Sequence, residues 1–219
     1  FCQMAQAQSL REICDGLRCC LGKLNHLGLK EAPRRSTLSY ANAHRPWQLF
    51  ERTFYEVLES CRKLGPKKKF RFRNKLLSLD ASVIDLCVTL FDWAKFRQTK
   101  GAVKLHLLLD HDGYLPSFAL ITEGCRHEIK VARTLKLPAG SVVAMDRGYN
   151  DYRLFGQWTA AGVWFVTKMK SNSSYEVVEK GRALVERNIL SDELIRLTGP
   201  GAEKKCPYRL RRVVVWDEA

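Results

Sequence analysis

The chain has 219 residues, enough for one large domain or two small ones with a sizeable core. Hydrophobic residues make up 46%, which excludes a disordered chain, and no apolar run reaches transmembrane length. Lys and Arg number 37 against 23 Asp and Glu, and the formal net charge of +14 points to a polyanion partner, most simply nucleic acid.

In chain order, the first segment reads as helical. Leu10, Ile13, Leu17, Leu21 and Leu24 recur at three- or four-residue steps, so a helix is expected from Ser9, its cap, to Leu27, with Gly28 ending it. Ser36 or Thr37 is expected to cap a short helix containing Leu38 and Tyr40. Pro46 suits the first turn of a longer helix with Trp47, Phe50, Phe54, Tyr55 and Leu58 on an apolar face. Arg34, Arg35, His44 and Arg45 lie in the joints, which fits a DNA-binding module or a helical cap with solvated charges. Gly65 and Pro66 punctuate the boundary, so residues 1–66 are expected to form a helical N-terminal domain.

A basic run follows. Lys67, Lys68, Lys69, Arg71, Arg73 and Lys75 flank Phe70 and Phe72, and their alternation suits a one-sided basic face for a phosphate backbone. LLSLD is expected to be a strand stopping at Asp80. KGAVKLHLLLDHDGYLPSFALIT reads as a hairpin turning at His111, Asp112 and Gly113. A helix is expected from His127 to about Lys136, broken by Pro138 and Gly140. SVVAM is a short buried strand ending in Asp146. Asn150 or Asp151 is expected to cap the helix YRLFGQWTAA, which Gly162 ends, and VWFVTK is a last strand.

A helix between two strands makes a parallel crossover, so the strand before Asp146 is expected beside the strand before Asp80. Ligands in open α/β sheets gather beyond the carboxyl ends of strands. Two carboxylates delivered there can hold a divalent metal pair, the arrangement that drives in-line attack on a phosphodiester. Asp80 and Asp146 are therefore the candidate catalytic and metal-binding residues. Asp110 and Asp112 read as turn residues, and Asp85 and Asp92 as structural or surface groups. His127 reads as a capping residue or one approaching the site, and Arg147 and Tyr149 as phosphate contacts or braces. Trp93, Trp158 and Trp164 are expected in the core. Residues 171–219 change character to short valine-rich pieces with many charges, a β-rich segment.

Eight cysteines occur without a Cys-x-x-Cys pair, and Cys19 and Cys20 are adjacent, which suits a reducing compartment better than a disulfide or zinc framework. No secretory signal is visible, and the absence of an initial Met leads to the expectation that the true N-terminus is missing.

The stretches SYANAHRPWQLFE, LSLDAS, KGAVKLHLLLD and AMDRGYNDYRLF resemble bacterial insertion-sequence transposases of the DDE class, more narrowly the insertion-sequence-four family. The resemblance covers nearly the whole chain. It implies an RNase H-like mixed α/β sheet with flanking helices over residues 67–170, followed by an incomplete β-rich insertion over 171–219. It implies metal-dependent cleavage and strand transfer at insertion-sequence ends, with two Mg²⁺ or Mn²⁺ ions held by Asp80 and Asp146 and with Lys67, Lys68, Lys69, Arg71, Arg73 and Arg147 on DNA. The implied partners are double-stranded DNA, as transposon ends and target, and a second copy in the synaptic complex, with no membrane. The implied location is the bacterial cytoplasm, at the nucleoid. The family's third carboxylate is a Glu in a Tyr, Arg, Glu, Lys helix after the insertion. Glu176, Glu179, Glu186, Glu193 and Glu218 all lack that context, so the chain is expected to be truncated before it. The rival readings are a non-catalytic DNA-binding derivative and an RNase H-like nuclease without strand transfer.

Overall fold

The structure is a computed structural model that describes residues 6–20, 22–64, 73–86, 95–97, 100–184, 186 and 188–216. The chain divides into two compact units, Phe1–Ser60 and Cys61–Ala219.

The first unit is helical. Helix α1 (Leu10–Cys19) starts at Ser9, whose hydroxyl accepts the Glu12 N–H at 3.2 Å, while the Glu12 carboxylate accepts the Gln8 N–H at 2.9 Å. Such a cap stabilises a helix by about 1 kcal/mol. The helix buries Cys14 and Leu17. It does not run on to Leu27. Gly22 takes φ +72°, and a separate 3-10 turn spans Leu24–Leu27 before Gly28 at φ +70°. Left-handed glycine makes that break inexpensive. Helix α2 (Arg35–His44) has its N-cap two or three residues ahead of the expected caps, Ser36 and Thr37. Arg34 stands at its N-cap without a side-chain bond, and Ser36 and Thr37 lie inside the first turn. Helix α3 (Gln48–Leu64) follows Pro46 as expected. Of its expected apolar face only Leu58 is buried, whereas Trp47, Phe50, Phe54 and Tyr55 are exposed.

The second unit carries a mixed sheet. Its elements are β1 (Leu76–Leu86), β2 (Lys95–Arg97), β3 (Lys100–Asp110), β4 (Leu115–Glu123), α4 (Glu128–Ala132), β5 (Val142–Met145), α5 (Tyr152–Ala160) and β6 (Trp164–Thr167). Among the described residues the six strands form one sheet in the order β2-β3-β1-β5-β6, with β4 also paired to β3. The β3–β4 hairpin forms as expected; Asp110 Oδ1 accepts the Asp112 N–H at 2.9 Å, and Gly113 and Tyr114 both take positive φ. The short β2 was not legible in the sequence. Helix α4 is shorter than expected, ending at Ala132, and its N-cap residue His127 makes no side-chain capping bond. Asp151 caps α5 by accepting the Leu154 N–H at 2.8 Å, and Arg133 holds the same carboxylate at 2.7 Å.

Strand alternation gives the sheet two faces. One carries Leu77, Leu79, Leu108, Val143, Met145 and Phe165, and packs against Ala132, Leu135, Leu154, Phe155 and Trp158 from the α4 and α5 regions. Each such fully buried large side chain stabilises the fold by about 1.5–3 kcal/mol. On the other face Ile121, Trp164 and Val166 are exposed. Trp164 is therefore not a core residue. The β5–β6 register turns Phe165 toward the helices and Trp164 away from them.

Past residue 170 the expected β character is realised. Strands β7 (Tyr175–Lys180), β8 (Ile189–Leu197) and β9 (Leu210–Val215) form an antiparallel sheet, with the short α6 (Ala202–Lys205) between the last two. Opposite charges face each other across it, Arg196 on Glu176 and Arg212 on Glu193, each at 2.8 Å. Ile195, Leu197, Ala202 and Cys206 join the same hydrophobic cluster as α5.

Candidate functional site

The site grows from the parallel pairing of β1 and β5. Their register runs from Leu76↔Val142 to Leu79↔Met145, and Asp80 and Asp146 are the next residue on each strand. Neighbouring strands lie about 4.8 Å apart. β5 stops because Asp146 becomes an N-cap, its Oδ1 accepting the Gly148 N–H at 2.8 Å. β1 does not stop at Asp80. It continues to Leu86 against β3, with Asp80 opposite Leu107. Asp80 thus stands where β1 loses β5 as a neighbour, which leaves its carboxylate at a sheet edge even in mid-strand. Its Oδ1 accepts the Ala81 N–H at 2.8 Å, and both aspartates are exposed. Alternation sends Asp80 out on the face opposite Leu79.

The loop after Asp146 is braced from β6. The Thr167 hydroxyl lies 3.1 Å from the Asp146 carbonyl oxygen and 2.9 Å from Asn150 Oδ1, and Asn150 Nδ2 donates to the Lys168 carbonyl at 2.9 Å. These bonds fix where Asp146 and Arg147 stand.

At the end of that turn Tyr149 is 1% exposed, and its hydroxyl has no hydrogen-bond partner among the described residues. Burial first, then the charges of Glu128, Asp80 and Asp146, hold this phenol protonated far above its ordinary range. Glu128 was not among the sequence candidates. Its Oε1 accepts from Lys104 Nζ at 2.9 Å. Its Oε2 lies 2.9 Å from the point a Cβ on Gly148 would occupy, and Asp146 Oδ1 lies 2.9 Å from the same point. Lys104 shares the inner face of β3 with His106, which is fully buried beside Thr122 Oγ1 at 3.0 Å. Burial, reinforced by Lys104, lowers the His106 pKa and keeps the ring neutral.

One signal could have exposed this group. In KGAVKLHLLLD, alternation puts Lys104 and His106 on the same face as Ala102 and Leu108. Polar residues on a core face demand partners. No spacing rule names Glu128 as that partner.

Among the described residues no three Asp, Glu, His or Cys side chains converge into a closed metal site. The donors at the sheet edge are nevertheless carboxylate oxygens, the kind that Mg²⁺ and Mn²⁺ take. The gap at Gly148 that a Cβ would fill, and the Tyr149 hydroxyl without a partner among the described residues, also fit an ion held there.

Of the candidate DNA contacts, Arg73 and Arg147 are exposed, whereas Lys67, Lys68, Lys69 and Arg71 lie outside the described residues, as do Asp92 and Trp93. Asp110 behaves as a turn residue, paired with Lys75 at 2.8 Å. In the helical unit Arg18, Arg34, Arg35, Ser36 and Ser39 line an open hollow with Leu10. No helix among the described residues is long and apolar enough to cross a membrane.

Comparison with known proteins adds to this geometry. The chain is 31% identical over 191 residues to "Putative transposase y4zB" of Sinorhizobium fredii, covering 84% of this chain and 51% of that protein. It is 25% identical over 137 residues to "Probable transposase for insertion sequence element IS5377" of Geobacillus stearothermophilus, covering 63% and 36%. The chain thus spans about half the length, or less, of these relatives. A piggyBac transposase synaptic complex with hairpin DNA aligns over 64% of this chain and 31% of that one, at 10% identity and a TM-score of 0.33, too low to support an argument. The family described as "Domain of unknown function (DUF4372)" matches residues 1–30. The family described as "Transposase DDE domain" matches residues 71–209, a span that holds both strand-edge aspartates and most of the second unit, and the chain belongs to that family.

Proposed function

We propose that this chain is part of an insertion-sequence transposase of the insertion-sequence-four group, which cleaves phosphodiesters and transfers strands at insertion-sequence ends. The observation that carries the reading is the register of β1 and β5, which makes Asp80 and Asp146 successive to one cross-strand pair. The sheet is read as RNase H-like, with a helical DNA-binding domain over 1–66, the catalytic core over 67–170 and a β-rich insertion over 171–219. Asp80 and Asp146 would hold two Mg²⁺ or Mn²⁺ ions. When bound, such a pair activates the attacking oxygen and stabilises the leaving one. Arg147 and Arg73, with Lys67, Lys68, Lys69 and Arg71, would hold duplex phosphates. Asn150 and Thr167 would keep Asp146 and Arg147 in register with them. The partners are transposon-end and target DNA and a second protomer, at the bacterial nucleoid.

The third carboxylate is read as lying beyond this chain. The exposed Ile121, Trp164 and Val166 support that reading, because an apolar sheet face needs a cover. A non-catalytic DNA-binding derivative is the second reading, favoured by the absence of a closed carboxylate triad among the described residues.

The test is a Mg²⁺-dependent cleavage assay on end-sequence duplexes, with this chain and with a longer protein that includes the downstream frame. The longer protein should nick, and this chain alone should bind but cleave poorly. Asp80→Ala or Asp146→Ala in the longer protein should each lower cleavage by over about a hundredfold, since each removes ligands from ions worth several kcal/mol in the transition state. DNA binding should survive. Full cleavage by either variant would sink the assignment.

A further inference from the structure

Glu128 stands in the same small space as Asp146, and its two oxygens are treated differently. Oε1 is anchored on Lys104 at 2.9 Å, and Lys104 Nζ also lies 3.4 Å from the Arg126 carbonyl oxygen. Lys104 is itself only 12% exposed, so the anchor is fixed. Oε2 has no hydrogen bond among the described residues and faces the gap at Gly148. Asp146 Oδ1, across the gap, accepts one backbone N–H. Asp146 has no ion-pair partner among the described residues. Two carboxylates therefore share one gap while the nearest ammonium group, Lys104, sits on the far oxygen of Glu128, a net negative pair that repels unless a further cation arrives.

Two independent features point to something arriving. Gly148 keeps the gap open. A Cβ there would stand 2.9 Å from both carboxylates, and the glycine's φ is not in the left-handed region, so space rather than backbone conformation accounts for it. Tyr149 is 1% exposed and feels the charges of Glu128, Asp80 and Asp146, and its hydroxyl lacks a partner among the described residues. A buried hydroxyl left unpaired costs about 1–3 kcal/mol, so its position favours a group beyond the described residues.

We propose that Glu128 is a further carboxylate of the centre and holds a divalent cation jointly with Asp146 across Gly148. The inference rests on the reading of Asp80 and Asp146 as metal-binding residues and adds a ligand to it. Lys104 presents the free oxygen of Glu128 by occupying the other. Tyr149, next to Gly148 in the chain, lies in the field of both carboxylates.

The experiment measures Mn²⁺ binding to the purified chain by electron paramagnetic resonance, with no DNA and no turnover. Glu128→Gln should weaken binding by about tenfold or more, since it removes an anionic oxygen ligand. Gly148→Ala should weaken it as well by filling the gap. Lys104→Gln should weaken binding less than Glu128→Gln does, because it loosens the anchor of Glu128 but spares the carboxylate. Thermal melting of each variant establishes that it is folded, and Glu128→Asp replaces Glu128→Gln if the latter does not fold. If Glu128 only clamps Lys104, both Glu128→Gln and Lys104→Gln will lower the melting temperature and neither will move Mn²⁺ affinity, which overturns the proposal. Weakened binding in Asp80→Asn and Asp146→Asn with an unchanged Glu128→Gln would reject Glu128 as a ligand and leave the two-aspartate reading intact. Unchanged binding in all of them would reject both.

Discussion

Gly156 of α5 lies against the backbone carbonyl of Lys205 at the end of α6 so closely that a Cβ would overlap it. This contact seats the second sheet on the helix that follows Asp146. Cys206, the next residue, is fully buried in the shared core. Burial raises the pKa of its thiol, so it packs as a small hydrophobe.

Gly156→Ala should therefore destabilise the second unit by about 1–3 kcal/mol, the usual cost of forcing an atom into a packed contact. Urea unfolding followed by tryptophan fluorescence reads it through Trp158. A change within about 0.5 kcal/mol would mean that α6 moves aside freely.

Asp151 serves two neighbours at once, the Leu154 N–H and the Arg133 guanidinium, which reaches its two oxygens at 3.1 and 2.7 Å. Asp151→Ala should cost about 2 kcal/mol, combining a lost cap with a half-buried charged pair. Asp151→Asn keeps the cap and should recover about half. Equal melting temperatures for the two variants would show that the cap contributes little.

Replacing Lys67, Lys68 and Lys69 by Gln should flatten the salt dependence of duplex binding by up to about three units of slope, because phosphate contacts release counterions. Affinity should fall alike for end-sequence and random duplexes. A slope identical to wild type would leave the run without a role in DNA contact.

His106 links stability to pH. Burial and the charges of Lys104 and Arg126 lower its folded-state pKa below 6.5, and Glu128 opposes them only in part. As pH falls, the unfolded chain takes up the proton first. The contribution is thus fully present above about pH 6.5 and is lost as pH drops toward the folded value. The urea midpoint should fall between pH 7.5 and 5, and His106→Gln should fall less. Parallel pH profiles would assign the loss to other groups.

The sequence by itself determined the local order of this protein. Alternation named both strands of the β3–β4 hairpin, Asp-Gly its turn, and Asn150 or Asp151 the cap of α5, of which Asp151 serves. The apolar runs before Asp80 and Asp146, with a helix between strands, dictated parallel neighbours, and β1 and β5 pair as that rule requires. These features depend on residues close in sequence, where φ preferences, caps and side-chain period act directly. What tertiary structure decided lies across the sheet. β1 runs past Asp80 because β3 offers it hydrogen bonds as far as Gly101, and no residue within β1 announces that. Helix α1 ends early, with Gly22 turning left-handed just after it, while the leucine periodicity alone continues through that glycine. Trp164 faces outward because register, not hydrophobicity, chooses its side. Glu128 meets Asp146 only because α4 returns over the inner face of β3, where Lys104 anchors it. A carboxylate brought to the centre by packing leaves no spacing in the sequence, since its partners are fixed by the fold and not by the chain.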